Sequence, residues 1–450
     1  MPEPLPEDHL SGPGGQVGQG LPQPGEAALP HQKDSLHLPA QIPVKIVGHL
    51  GHLPEASLLV ADHALHRQCF EAVTCALDAA AEGGGKGPGK AADFAGSLPP
   101  FLVDQMLRPQ FEISAQERAV VIAEEWQTVG AVLHLDERLR HTGLRSRVRL
   151  LWNANNTFGF EHIPWERLAR AATITTVSRY MKQLMRERGI DAVVIPNGLP
   201  PEAFEPPNRA RVAQLRRRVR GRTLLAKMAR WDPDKRWMQA VEIVTAMKVR
   251  GWRPLLLARG GSEPYGEEVL SAARARGLNV VDAWMETDGV DFLSALQDVA
   301  AIDVVNLKSH VDAESRRVLL RASDAVLANS RHEPFGLVGL ETMAAGGVAC
   351  IGSSGEDYAV AGQNALILES DDPEEFLSLF DQLRAHPRQM RALRRAGRDT
   401  ARRFAWPAII ERVLLPRLNI ARPPLPRESG VPRGASLPTA PGAAILGARA

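Results

Sequence analysis

From residue 118 onward, short apolar runs alternate with segments whose apolar positions recur at helical spacing. Strand-like runs fall at Ala119–Ala123, Val148–Ala154, Thr173–Val177 and Ala192–Ile195, and helix-like stretches near 129–140, 164–171 and 179–188 separate or follow them. A second series places strands at Thr223–Met228, Pro254–Ala258, Asn279–Asp282, Asp303–Leu307 and Ala325–Ala328. This alternation predicts an α/β chain with parallel sheets and helices on their faces. Val44–Val47 predicts one earlier strand, with Gly48-His-Leu-Gly51 as a glycine-containing loop after it. Pro196-Asn-Gly-Leu-Pro200 is a turn signal between the two series, and Trp406–Leu418 reads as a last helix. Residues 1–40 and 421–450 lack the apolar content that offsets ordering entropy, so disordered tails are expected there.

One stretch closes the second series and organises the rest: Ser330-Arg-His-Glu-Pro-Phe-Gly-Leu-Val-Gly-Leu-Glu-Thr-Met-Ala-Ala-Gly-Gly347. It predicts strand, loop, short helix, strand. Leu337–Ala345 are good helix formers, and Gly346-Gly347 supply the stop. The N–H groups of Phe335, Gly336 and Leu337 would then be orphan donors at a helix N-terminus, a place suited to a phosphate. Glu333 and Glu341 would repel phosphate but accept hydrogen bonds from paired hydroxyls. Amide donors together with ionised acceptors suit a nucleotide joined to a sugar. On spacing alone, Glu333 could equally complement the helix dipole while Glu341 lies on a solvated face.

The run from Glu333 to Gly346 resembles the E-x7-E signature of the retaining GT-B glycosyltransferases of family 4. The resemblance extends over about residues 118–418 and implies two Rossmann-like domains facing an interdomain cleft. By that resemblance, residues 41–200 form an acceptor domain, 201–405 a nucleotide-sugar donor domain, and 406–420 a helix crossing back to the first. Glu333 would contact the donor sugar's hydroxyls, Glu341 the ribose hydroxyls, and the Phe335, Gly336 and Leu337 amides the diphosphate or sugar. Ala229-Arg-Trp-Asp-Pro-Asp-Lys-Arg-Trp237 is similar to the family's R-x4-K loop, so Arg230 and Lys235 would hold the donor diphosphate. Its two usual glycines are replaced by Ala229 and Arg236. Ala123-Glu-Glu-Trp-Gln-Thr128 resembles an H-x-H-D-x-x-T segment, with Glu124 at the position of the His near the reacting carbon. Ser353-Ser-Gly-Glu-Asp-Tyr358 resembles the G-G-x-x-E segment with Gly355 retained and Glu356 shifted. Asn364 stands at the N-G turn; this turn and the Ser353–Tyr358 segment read as structural.

The implied function is transfer of a hexose from a nucleoside-diphosphate sugar to a carbohydrate, lipid-linked or small-molecule hydroxyl acceptor, with retention and with neither cofactor nor bound metal. Glu124 also leaves room for a non-catalytic sugar- or protein-binding module, and the same fold for a sugar-nucleotide epimerase. Trp152-Asn-Ala-Asn-Asn-Thr-Phe-Gly159 offers an indole and amides suited to a carbohydrate, or simply a packed Trp beside turn-forming Asn residues.

Composition adds exclusions. The 450 residues suffice for two domains, and 54 basic against 52 acidic residues leave a formal charge of +2, which gives no case for nucleic-acid binding. Basic residues cluster in Arg209–Arg222 and Arg384–Arg403; these read as solvated helix faces, with peripheral contact to anionic lipid as the other reading. Cys69, Cys75 and Cys350 are too few for a disulfide framework and fit a reducing, cytoplasmic setting. No apolar run reaches the roughly 18 residues of a membrane span, and the N-terminus lacks the order of a signal peptide. His63, His66 and Cys69 share a helical face without a fourth ligand, and Gly83–Gly89 reads as a flexible loop. Asp232-Pro-Asp234 and Asp371-Asp372 read as turns.

Overall fold

The computed structural model describes residues 44–50, 88–113, 118–284, 293, 296, 299–308 and 311–418. The expected tails, the His63/His66/Cys69 face and residues 83–87 of the expected glycine loop lie outside the described residues, whereas Pro88 and Gly89, expected in that loop, open the helix Pro88–Phe101.

The first sheet is parallel and runs in chain order, β1 (Val44–Leu50), β2 (Arg118–Glu124), β3 (Val148–Ala154), β4 (Thr173–Thr176) and β5 (Val193–Val194). Gly48, expected in a loop, lies within β1, where the register with β2 slips between Val47 and His49. A glycine tolerates such a bulge, so the strand continues through it.

The second sheet is also parallel: β6 (Thr223–Met228), β7 (Pro254–Arg259), β8 (Val280–Ala283), β9 (Val304–Leu307), β10 (Ala325–Ala328), β11 (Ala349–Ile351) and β12 (Leu366–Ile367). Their order is β12-β11-β10-β6-β7-β9-β8. Leu224-Leu225-Ala226 and Leu255-Leu256-Leu257-Ala258 are buried along their whole length, the signature of strands covered by helices on both faces. Helices Trp237–Val249 and Pro373–Ala385 cover one face, and Arg209–Arg218 and Ala313–Ala322 the other.

The turn at Pro196–Pro200 meets the later chain directly. Leu199 N–H donates to Phe404 O at 2.7 Å and Trp406 N–H to Leu199 O at 3.0 Å. A side chain at Gly198 would stand 2.6 Å from the Trp406 indole, so glycine lets the two passes touch. Beyond them, Trp406–Ile409, a π turn at Ile410–Leu414, and Leu415–Arg417 replace the single expected helix. Leu414 and Leu418 pack on Val120 and Leu151 of the first sheet. Among the described residues no helix is long and apolar enough to cross a membrane.

Candidate functional site

Strands β6 and β10 are neighbours, but the chain leaves β6 toward β7 and β10 toward β11. The strand order reverses between them, and α/β sheets bind ligands in the crevice at the carboxyl ends of such a pair. The loops that leave those ends are residues 229–236 and 329–336, which carry most of the residues singled out by sequence.

The first loop is held from below. Asp232 accepts from Asp234 N–H at 2.8 Å and caps the single turn Pro233–Lys235. Arg236 then takes a left-handed conformation, φ 52°, before the helix Trp237–Val249. Trp237 Nε1 donates to Arg230 O at 2.7 Å, closing the loop. Trp231 lies on Trp237 with ring centroids 4.0 Å apart, and a side chain at Gly260 would come within 2.0 Å of its indole. Arg230 is exposed.

The second loop is stitched to the first. Arg331 N–H donates to Asp234 O at 2.8 Å, and His332 approaches the Asp234 carboxylate through its backbone and Nδ1. Lys235 Nζ reaches Glu333 Oε2 at 3.0 Å. Glu333 N–H donates to Ser354 Oγ at 2.8 Å. Gly336, at φ 84°, turns the chain into the helix Leu337–Ala345, and no side chain caps that helix. Its first-turn amides therefore lack side-chain acceptors, beside the Lys235–Glu333 pair. The Phe335 ring is buried against Tyr358 and Phe404, so this residue has only its backbone to offer a ligand.

Glu341 sits on the same helix but not on a freely solvated face. Arg316, from the helix Ala313–Ala322, reaches its Oε1 at 3.1 Å. Burial pushes the Glu341 carboxyl above the usual range, and Arg316 opposes that shift.

Two buried groups lie close by. Lys227 of β6 is 1% exposed; its Nζ donates to Leu327 O at 3.1 Å and Asn329 Oδ1 at 3.0 Å, and Asn329 in turn donates to Gln239. Burial, reinforced by Lys235 and Arg236, brings the Lys227 ammonium down to about 7. Glu356 is also buried, and its Oε1 has no hydrogen-bond partner. Burial, together with neighbouring Glu333, raises its carboxyl to about 7 against the amides that point toward it. A side chain at Gly336 would meet the stems of both Glu356 and Glu333, at 2.7 and 3.3 Å.

Glu124 lies on the other sheet, at the carboxyl end of β2. Its two oxygens accept from Asn153 Nδ2 and Asn155 Nδ2, each at 3.2 Å. Burial raises its carboxyl to about 7, with the two amides opposing. Next to it Glu125 adopts φ 66°, ψ 159°, a region that side chains other than glycine's rarely enter. Hydrogen bonds hold it there: its N–H to Asn153 O, Trp152 Nε1 and the Thr128 N–H and Oγ1 to its O, and Asn155 N–H and Asn156 Nδ2 to its carboxylate. Asn153 in β3 and Asn155 and Asn156 just after it thus position two carboxylates, and the Trp152 indole is packed and spent on the Glu125 backbone.

The structure therefore brings Lys235, Glu333 and the start of the helix at Leu337 together, puts Arg230 on the same loop, and places Glu341 further along the helix beside Arg316. Sequence reasoning missed Lys227, Glu125 and Arg316. A lysine directly after Leu224-Leu225-Ala226, within the predicted strand Thr223–Met228, was a legible signal for the first, since lysine is almost never fully buried. The pairing of Arg316 and the backbone of Glu125 leave no local trace.

Both sheets, their parallel order and the crevice at the reversal define the GT-B class of fold. Solved structures agree. The UDP-forming alpha,alpha-trehalose-phosphate synthase from Burkholderia xenovorans superposes with a TM-score of 0.53 at 14% identity, over 74% of this chain and 79% of that one. Anabaena HepE, crystallised with UDP, gives 0.52 at 14% identity over 71% and 84%. Residues 288–400, which contain the second loop and its helix, match the family model Glycosyl transferases group 1. Over 96 residues the chain is 38% identical to a D-inositol 3-phosphate glycosyltransferase of Segniliparus rotundus, spanning 21% of each. A protein of the same name from Thermobispora bispora is 32% identical over 126 residues, 27% of this chain and 29% of that one. The matched segments thus span less than a third of these curated relatives.

Proposed function

We propose that this protein is a retaining glycosyltransferase of family 4 that moves a hexose from a nucleoside-diphosphate sugar to a hydroxyl acceptor, in the reducing cytoplasm. The observation that carries the reading is the Lys235–Glu333 contact, at 3.0 Å, beside an uncapped helix N-terminus at the switch point of the sheet. That juxtaposition gives one ligand a cation and amides for its diphosphate and a carboxylate for its hydroxyls. The group 1 match over the same residues supports it.

In this scheme Arg230, Lys235 and the amides of Phe335, Gly336 and Leu337 stabilise the charge that grows on the diphosphate as the sugar–oxygen bond breaks. Glu333 orients the sugar, and Glu341 leaves Arg316 to take the ribose hydroxyls. The departing diphosphate receives the acceptor's proton on the face it leaves, so the acceptor oxygen bonds to the same side of the sugar carbon. Glu124, with its carboxyl raised to about 7, carries a proton in a large share of molecules at neutral pH and can both give and take a hydrogen bond at an acceptor hydroxyl. The UDP bound by HepE makes UDP-sugars the first donors to test, and the names of the curated relatives make a polyol phosphate the first acceptor.

A screen of UDP-, GDP- and ADP-sugars for binding, hydrolysis and transfer tests the proposal. Transfer with retained anomeric configuration is the expected result. Binding without turnover would instead favour a sugar-binding module, and conversion of donor without acceptor an epimerase.

A further inference from the structure

The two arginine-rich segments do not simply coat solvated helix faces; the fold brings parts of them together. Arg216 comes from the helix Arg209–Arg218, Arg321 from Ala313–Ala322, and Arg394 and Arg398 from Pro387–Arg403. Arg216 Nη1 donates to Asp324 Oδ2 at 2.9 Å and to Ala322 O at 3.3 Å. Arg398 Nη2 lies 3.5 Å from Ala345 O. Each of these two cations thus meets the carbonyl end of a helix, a favourable place for positive charge.

Among the described residues, Arg321 and Arg394 have no such partner. The Nε of Arg394 is buried without a hydrogen-bond acceptor. Burial and the neighbouring Arg321 and Arg216 bring the Arg394 guanidinium down to about 10 in spite of Asp324. Burial and Arg398 lower that of Arg321 as well. The carboxylate paired in this group, Asp324, is already shared with Leu224 N–H at 2.8 Å. Among the described residues, Asp324 is the one carboxylate in an ion pair with these four guanidiniums, and a multivalent anion would offset the positive charge gathered on Arg321 and Arg394.

The group borders Leu224 and Asp324, at the amino ends of β6 and β10, whereas the loops 229–236 and 329–336 leave the carboxyl ends of the same strands. We propose that Arg216, Arg321, Arg394 and Arg398 form a second anion site, at the amino edge of the seven-stranded sheet, for a phosphate-bearing ligand with at least two negative charges. Planar, forked guanidiniums suit the paired oxygens of a phosphate. A soluble phosphate ester or diphosphate and the headgroup of an anionic lipid share this chemistry.

The test measures pyrophosphate binding by calorimetry in the full chain carrying Arg230→Ala and Lys235→Ala, so that the loop assigned to the donor does not contribute. Adding Arg321→Gln and Arg394→Gln is expected to weaken pyrophosphate binding by about tenfold or more. Arg394→Lys, which keeps the charge but not the fork, should weaken it less and serves if the double Gln variant does not fold. Co-sedimentation with phosphatidylcholine vesicles, with and without phosphatidylglycerol, separates the sources. Vesicle binding that the Gln pair abolishes assigns a lipid headgroup, and pyrophosphate binding without vesicle binding assigns a soluble ligand. Equal pyrophosphate and vesicle binding by the parent and by the Arg321 and Arg394 variants overturns the proposal, whatever the donor screen shows.

Discussion

Lys227→Met is the sharpest perturbation the structure offers. The lysine titrates near 10.5 in an unfolded chain and near 7 in the fold, where it is 1% exposed. Between those values the unfolded state binds more protons, so the stability of the parent rises with pH across the window. At about 1.4 kcal/mol per unit, the full shift is a penalty of about 5 kcal/mol, present below pH 7 and relieved as pH climbs toward 10.5. Methionine fills a similar volume and does not titrate. It leaves Asn329 Oδ1 without its donor, a cost of about 1–3 kcal/mol that does not depend on pH. Below about pH 7 the variant should therefore be more stable than the parent by roughly 2–4 kcal/mol, the difference of those two terms. By about pH 9, two units into the window, about 3 kcal/mol of that advantage should be gone. Urea unfolding of both proteins at a series of pH values measures the difference directly. A difference that stays constant from pH 6 to 10 refutes the reasoning. Glu124 and Glu356 do not confuse the comparison. Their raised carboxyls contribute stability that is present below 4.5 and lost as pH rises through about 7, equally in both proteins.

Further outcomes follow from the same geometry. Arg230→Ala and Lys235→Ala should each lower kcat/KM for the donor by about tenfold or more with little change in folding, as steady-state kinetics at matched folded fraction will show. Glu341→Gln should weaken free nucleoside diphosphate by roughly 1–3 kcal/mol in calorimetry, whereas Glu333→Gln should leave that affinity nearly unchanged and reduce transfer. Equal losses in the two variants would contradict the division between ribose and sugar. Glu356→Gln removes a carboxyl that must ionise in a buried place, so above pH 7 it should be more stable than the parent by up to about 3 kcal/mol, with the gain vanishing below 4.5. Denaturant titrations at the two extremes check the sign.

Much of this architecture could be read from local pattern. Leu337–Ala345 is helical between Gly336 and Gly346, both left-handed, so the glycines that punctuate the sequence also set the helix ends. Val148–Ala154 and Ala325–Ala328 are strands over the spans their apolar runs predict. What escaped depends on partners far away in the chain. Arg316 lies 25 residues before Glu341, and nothing local announces that a cation will claim that carboxylate. Arg236 stands where the resemblance leads one to expect glycine, yet it adopts the left-handed conformation a glycine would. The backbone demand of that loop was legible even though the residue was not the usual one. The split of 406–418 around a π turn reflects Pro407 and Pro416 and the fit against Val120 and Leu151, which periodicity does not carry.

The contact of Leu199 with Phe404 and Trp406 also has a mechanical meaning. The chain passes between its two sheets twice, at 196–200 and again at 404–406, and the two passes are hydrogen-bonded to each other. One connecting strand would act as a tether with several rotational freedoms. Two that are laced side by side restrain each other, and fewer of those freedoms remain. Giving Gly198 a side chain against Trp406 would push the two passes apart and loosen that lacing without touching either sheet.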